Sequence, residues 1–262
     1  MNIIVISLFF VAISFVFSML GLGGGLVYVP LLVIIGFSMK EASMLSLFAI
    51  FMTTLMASIN FIRSKRVDWS LFAIMEPTTA ITAFIGGFFA IKFGEHVLRL
   101  LLVCALVVAG VITLFSGKKA KAIKLTQLCI RRKVGGAEYL VDLPIVAGLS
   151  GLVGFIAGMI GIAGGVFKVP IMVAICAVPM DVAVATSAAM VATTAAFGLS
   201  GHLASTPHVN LLFILIFGVA CLIGGFLGSK CALKVRRELL RKFYFLLMIS
   251  LALWVSLTSY IL

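Results

Sequence analysis

Ten apolar runs, separated by short polar stretches, restrict this chain more than any other feature does. They fall at roughly 3–20, 26–37, 42–62, 70–92, 97–116, 143–160, 166–178, 182–201, 209–229 and 243–262. Most approach the ~20 residues that a helix needs to cross a bilayer. Apolar residues are 63% of the 262, whereas a soluble domain has about 45–50%. One aqueous core cannot bury that much apolar surface, so lipid is the expected solvent. The N-terminal "MNIIVISLFF" has no basic n-region and no small-residue cleavage pattern follows it, so the first run is expected to stay.

A net charge of +12 could signal nucleic acid, but its distribution argues otherwise. Sixteen of the twenty Lys and Arg lie in three stretches, Arg63–Arg66, Lys118–Lys133 and Lys230–Lys242, each between apolar runs. That is the positive-inside pattern. It predicts a multi-pass protein of the cell (plasma) membrane, with basic loops 63–66, 117–133 and 230–242 cytoplasmic and no nucleic-acid partner. The five cysteines show no C-x-x-C spacing and no His at metal-ligand spacing. No disulfide framework, metal or cofactor is expected. The sequence is silent on oligomeric state.

The two halves resemble each other. With a shift of 140, Met19, Gly21, Gly24, Gly25, Val29 and Pro30 fall on Met159, Gly161, Gly164, Gly165, Val169 and Pro170. Ala49, Thr53 and Thr54 fall on Ala189, Thr193 and Thr194. After a small gap, "FIGGF" (84–88) meets "LIGGF" (222–226). The organisation predicted is a first transmembrane repeat at 1–116, a basic cytoplasmic linker at 117–142 and a second repeat at 143–262. With the basic loops on one side, the Met39–Glu41 corner faces outside and its counterpart Pro179–Asp181 faces inside. The fold class expected is therefore all-α and polytopic, with two repeats of inverted topology. The first two runs of each repeat are two tilted spans, one broken helix or a re-entrant hairpin; periodicity does not choose.

Interrupted helices at matching positions of an inverted repeat point to a transporter binding site near the midplane. The phrases here are "GLGGGLVYVP" (21–30) and "GIAGGVFKVP" (161–170). Glycine frees the backbone, and proline suits the first turn of a new helix. The N–H groups at such a half-helix start make an anion site. Gly23, Gly24, Gly25, Gly164 and Gly165 are thus candidate substrate contacts. Where the first copy has Tyr28, the second has Lys168, a basic residue well inside an apolar run. No acid lies within a turn or two of it in sequence, so a bound anion would supply the missing charge. The competing reading is a lysine that snorkels or pairs with a carboxylate from another helix. Glu76 ("AIMEPTTA") is the acid well inside an apolar run; it is a candidate proton-coupling site or an ion-pair partner of Lys168. Thr53, Thr54, Thr193 and Thr194 either line the substrate cavity or bond back to their own helix. "FIGGF" and "LIGGF" read as close helix packing.

These phrases, repeated in a ten-run chain together with "RSKRVDW" (63–69), resemble the sulfite exporter TauE/SafE family. The resemblance covers essentially the whole chain. It implies export or uptake of small sulfur-containing or carboxylated anions: sulfite, organosulfonates, sulfoacetate and related species. It fixes neither the substrate nor the direction. One departure is Ala163, where the first copy has Gly23.

The expected function is a secondary transporter of a small anion by alternating access, coupled to a proton or sodium gradient, since no P-loop is present. Alternatives are an anion channel, a non-transporting receptor and, more distantly, an intramembrane hydrolase. The last rests on "GLSGH" (198–202), whose G-x-S-G resembles the rhomboid nucleophile motif without a His on a later helix.

Overall fold

The structure, a computed structural model, describes residues 3–94, 96–98, 100–102, 104, 128–134, 137–205 and 211–258. Four helices occupy the first half: α1 (Ile3–Met19), α2 (Gly25–Ile35), α3 (Met39–Arg63) and α4 (Trp69–Phe89). A turn of 3-10 helix follows at Ala90–Lys92. Helical residues recur from 96 to 104; most of the run at 97–116, and the first part of the linker with its lysines at 118–124, lie outside the described residues. Then come strands β1 (Cys129–Val134) and β2 (Ala137–Asp142) and five more helices: α5 (Leu143–Ile160), α6 (Gly165–Ala174), α7 (Met180–Ser205), α8 (Leu211–Lys234) and α9 (Arg237–Thr258).

Five of these, α3, α4, α5, α7 and α8, are long and apolar enough to cross a membrane. At 1.5 Å per residue, α2 and α6 are only ~15–17 Å long, about half the ~30 Å hydrocarbon thickness. Their starts follow from the glycines. Gly24 and Gly164 are the N-caps, in left-handed conformation at φ 95° and 70°. A side chain there would be strained. Ala163 carries that strain at φ 53°.

Two expectations need correction. Pro30 and Pro170 lie not in the first turn but at the sixth residue of their helices. Each removes an N–H in the second turn and leaves the carbonyl four residues back without its helical donor. For Pro170 that carbonyl belongs to Val166, and the Tyr244 hydroxyl of α9 donates to it (3.2 Å). The second correction concerns the all-α expectation: the end of the linker is an antiparallel hairpin, β1 on β2, paired from Cys129↔Asp142 to Val134↔Ala137.

The hairpin docks on Asp68, the N-cap of α4. Asp68 accepts from the N–H groups of Ser70 (2.9 Å) and Leu71 (3.3 Å). It also accepts from Arg132 (3.0 Å) and from the Tyr139 hydroxyl. Burial works to raise the Asp68 pKa, but these hydrogen bonds outweigh it and hold the carboxyl below its usual value. The docking it provides is therefore present above the unfolded carboxylate range and is lost only as pH falls through the lowered value. Nearby, Arg66 and Arg237 both reach Asp181, at 4.0 and 2.8 Å. One residue from each basic stretch thus converges on the same end of the bundle. At the other end, Lys40 donates to the Ile91 carbonyl (3.2 Å).

Helix packing is reciprocal between the halves. Helix α4 packs along α5 and α7; α8 packs along α1 and α3; α3 and α7 meet each other. The glycine pairs make these approaches close. A Cβ at Gly86 would collide with the Phe155 carbonyl on α5, and one at Gly224 with the Val11 carbonyl on α1.

Candidate functional site

The two glycine breaks touch at the centre. A Cβ on Gly25 would fall 2.7 Å from Ile162 Cα, and one on Gly165 would fall 2.8 Å from the Leu22 carbonyl oxygen. Serines cross-link them: Ser46 of α3 donates to the Gly161 carbonyl and Ser187 of α7 to the Gly21 carbonyl, both at 2.8 Å. Residues Gly21–Gly25 and Gly161–Gly165 are all buried. Gly23 faces Ile50 and Val191, and Gly24 faces the Tyr28 ring. The glycine N-termini are therefore packed rather than open. The first acceptor of each short helix, Gly24 or Gly164, takes the N–H of its third and fourth residues. The N–H groups of the first two residues have no acceptor a turn back within the helix and stay outside the helical ladder.

From this centre the candidate residues divide into two clusters. The first surrounds Tyr28 on α2. Its ring stacks on Phe10 (4.9 Å between centroids), and Phe10 stacks on Phe217 (4.5 Å). The Tyr28 hydroxyl lies 3.4 Å from Thr53 Oγ1 and accepts from Cys221 Sγ (3.6 Å). This cluster is buried and carries no formal charge.

The second surrounds Lys168 on α6. Its ammonium donates to Glu76 Oε2 on α4 (2.7 Å) and to Thr194 Oγ1 on α7 (2.6 Å). Thr194 in turn donates to Glu76 Oε1 (2.7 Å). The three form a closed ring of hydrogen bonds. Lys168 and Thr194 are fully buried and Glu76 is 2% exposed. The missing negative charge expected beside Lys168 is thus present, on a helix 92 residues earlier. Removing one partner of a buried pair strands the other charge, at a cost of about 3–5 kcal/mol.

Other candidates are not brought to either charged group. Thr54 donates to the Ile50 carbonyl (2.7 Å) and Thr193 to the Ala189 carbonyl (3.3 Å), each within its own helix. Thr53 also bonds back, to Ala49 (2.8 Å). Ser200 is exposed and donates to the Phe197 carbonyl (2.7 Å), while His202 Nε2 lies 3.0 Å from the Gly158 carbonyl oxygen. Among the described residues no group of three His, Cys, Asp or Glu could hold a metal. Sequence reasoning missed Cys221, weighed only for disulfides and metals, and the Asp68–Arg132–Tyr139 cluster.

A buried Lys–Glu–Thr ring behind a glycine break, in a bundle of apolar helices, fits a membrane protein that handles charge. Residues 5–255 match the family described as "Sulfite exporter TauE/SafE". The chain belongs to the sulfite exporter TauE/SafE family. It is 27% identical over 233 residues to the "Probable membrane transporter protein YunE" of Bacillus subtilis, covering 84% of this chain and 85% of that protein. It is 24% identical over 238 residues to the "Probable membrane transporter protein MJ0441" of Methanocaldococcus jannaschii, covering 86% and 84%. No solved structure matches. As a TauE/SafE family member with five helices of spanning length among the described residues, the chain is a multi-pass helical membrane protein with a general transporter role.

Proposed function

We propose that this protein is a secondary transporter of a small anion, such as sulfite, an organosulfonate, sulfoacetate or a related carboxylate, working by alternating access. The observation that carries this is the buried Lys168, held by Glu76 and Thr194 one turn into a half-length helix. A buried ammonium in a membrane segment is costly and marks an ion or substrate path. The reciprocal packing of α4 and α8 supports reading the halves as inverted repeats that rock against each other. The contact between the breaks supports a moving seam there. When the seam parts, the N–H groups at Gly25 and Gly165 join Lys168 in facing the anion. Convergence of the three basic stretches on one end supports placing that end in the cytoplasm.

The test is uptake of labelled sulfite, sulfonates and small carboxylates into proteoliposomes. Wild type is expected to take up at least one. Lys168→Met is expected to lower that uptake at least about tenfold, the value of one lost charge-assisted contact. A Lys168→Met/Glu76→Gln double variant, which leaves no stranded charge, separates lost binding from lost folding. Wild-type uptake by either variant would sink the assignment. Currents reversing at the anion's Nernst potential would indicate a channel.

A further inference from the structure

We propose that Glu76 is the displaceable counterion of Lys168, so that the anion binds only when Glu76 carries a proton and the two cross together. This rests on the reading of Lys168 as the anion-binding group. The geometry leaves little alternative for the charges. Both Glu76 oxygens are engaged, Oε2 by Lys168 and Oε1 by Thr194. An anion approaching the ammonium competes with that carboxylate for the same charge. With Glu76 ionised and a monoanion bound, the ring would hold one net negative charge. With Glu76 protonated and no anion, it would hold one net positive charge. Both states are penalised where water is excluded. The two neutral states are Glu76 ionised and empty, and Glu76 protonated with a monoanion bound. Only these can be sealed inside the protein.

The balance is simple. A bulk proton adds to the Glu76 carboxylate, the carboxyl leaves the ammonium, and the anion replaces it; Lys168 keeps its proton throughout. Thr194 serves both states, accepting from Lys168 and donating to whichever oxygen lies beside it. Among the described residues, no other charge interferes from the elements packed on α4. Helix α5 (Leu143–Ile160) has no ionisable side chain. On α7, Asp181 is held by Arg237 and His202 lies on the Gly158 carbonyl. Asp68, two turns before Glu76, is held by Arg132 and Tyr139, and Lys92 beyond the end of α4 lies over the Phe89 ring. The ring therefore selects by charge: it suits a monoanion, such as an alkanesulfonate or hydrogensulfite, above a dianion. Transport of a monoanion with one proton is electroneutral.

The test uses the purified full chain in proteoliposomes with labelled sulfite and labelled methanesulfonate as probes. With the outside one pH unit more acid, wild type should accumulate the carried probe about tenfold. An internal pH dye should report one proton per methanesulfonate, and for hydrogensulfite one proton besides any that the anion itself releases inside; an imposed potassium diffusion potential should change nothing. Glu76→Gln should reach no accumulation, about onefold, at the same gradient. Anion uptake by wild type without proton entry, or driven by the potential, would overturn the counterion proposal and leave the transport reading standing. So would tenfold accumulation by Glu76→Gln. Wild-type liposomes that move neither probe nor any anion tested above would overturn both. The wild-type proton count decides the matter even if Glu76→Gln fails to fold.

Discussion

Thr194 does what its neighbour cannot. Successive residues of a helix point about 100° apart, so two adjacent threonines never face one ligand equally. Thr194 meets Lys168 and Glu76, while Thr193 is turned aside and bonds to its own helix. Replacing Thr194 with Val should weaken transport about tenfold or more and lower stability by about 1.5–3 kcal/mol, the range for a hydrogen bond to a charged group. Thr193→Val should leave uptake within about twofold; equal losses from both would contradict the geometry. The sequence pointed to Lys168 and Glu76 one at a time, because an ionisable residue among apolar ones is visible in one dimension. Their pairing was one of two open readings, since it depends on how α4 and α6 meet in space. Nor could repeat symmetry tell the two threonines apart.

Among elements, the short helices owe their position to the breaks in front of them. Adding a methyl group at Gly25 or Gly165 pushes it into the backbone of the opposite break. Gly25→Ala and Gly165→Ala should each destabilise by about 1–3 kcal/mol, as overpacking does. Gly148→Ala has open space around it on α5 and should stabilise by about 0.5–1 kcal/mol. Thermal unfolding in detergent reads all three; an unperturbed Gly25→Ala would mean that the breaks are not in contact. Helix lengths and glycine caps were legible because φ above zero and missing donors are local demands. The position of the prolines was not, because a carbonyl freed in the second turn can be met by a distant group such as Tyr244. The hairpin went unread although its signals were present: "IRRKV" and "AEYLV" flank Gly135 and Gly136, a hairpin pattern. Its basic residues were absorbed into the charge argument instead.

For the whole molecule, the proposed orientation can be tested chemically. On a cysteine-free background, Lys65→Cys and Lys234→Cys should react with a membrane-impermeant maleimide only after permeabilisation. Lys92→Cys should react in intact cells. The reverse pattern would invert the proposed topology. The likeness of the two halves in sequence did not reveal how they pack together. Each half lends its fourth helix to the other, α4 to α5 and α7, α8 to α1 and α3. This has a consequence for synthesis. Helix α1 leaves the ribosome roughly 200 residues before α8, which is about 10–40 s at ordinary elongation rates. Glu76 likewise enters the bilayer 92 residues ahead of Lys168. The newly inserted first half is thus an unfinished unit, and it has to be sheltered until nearly the last helix has been made.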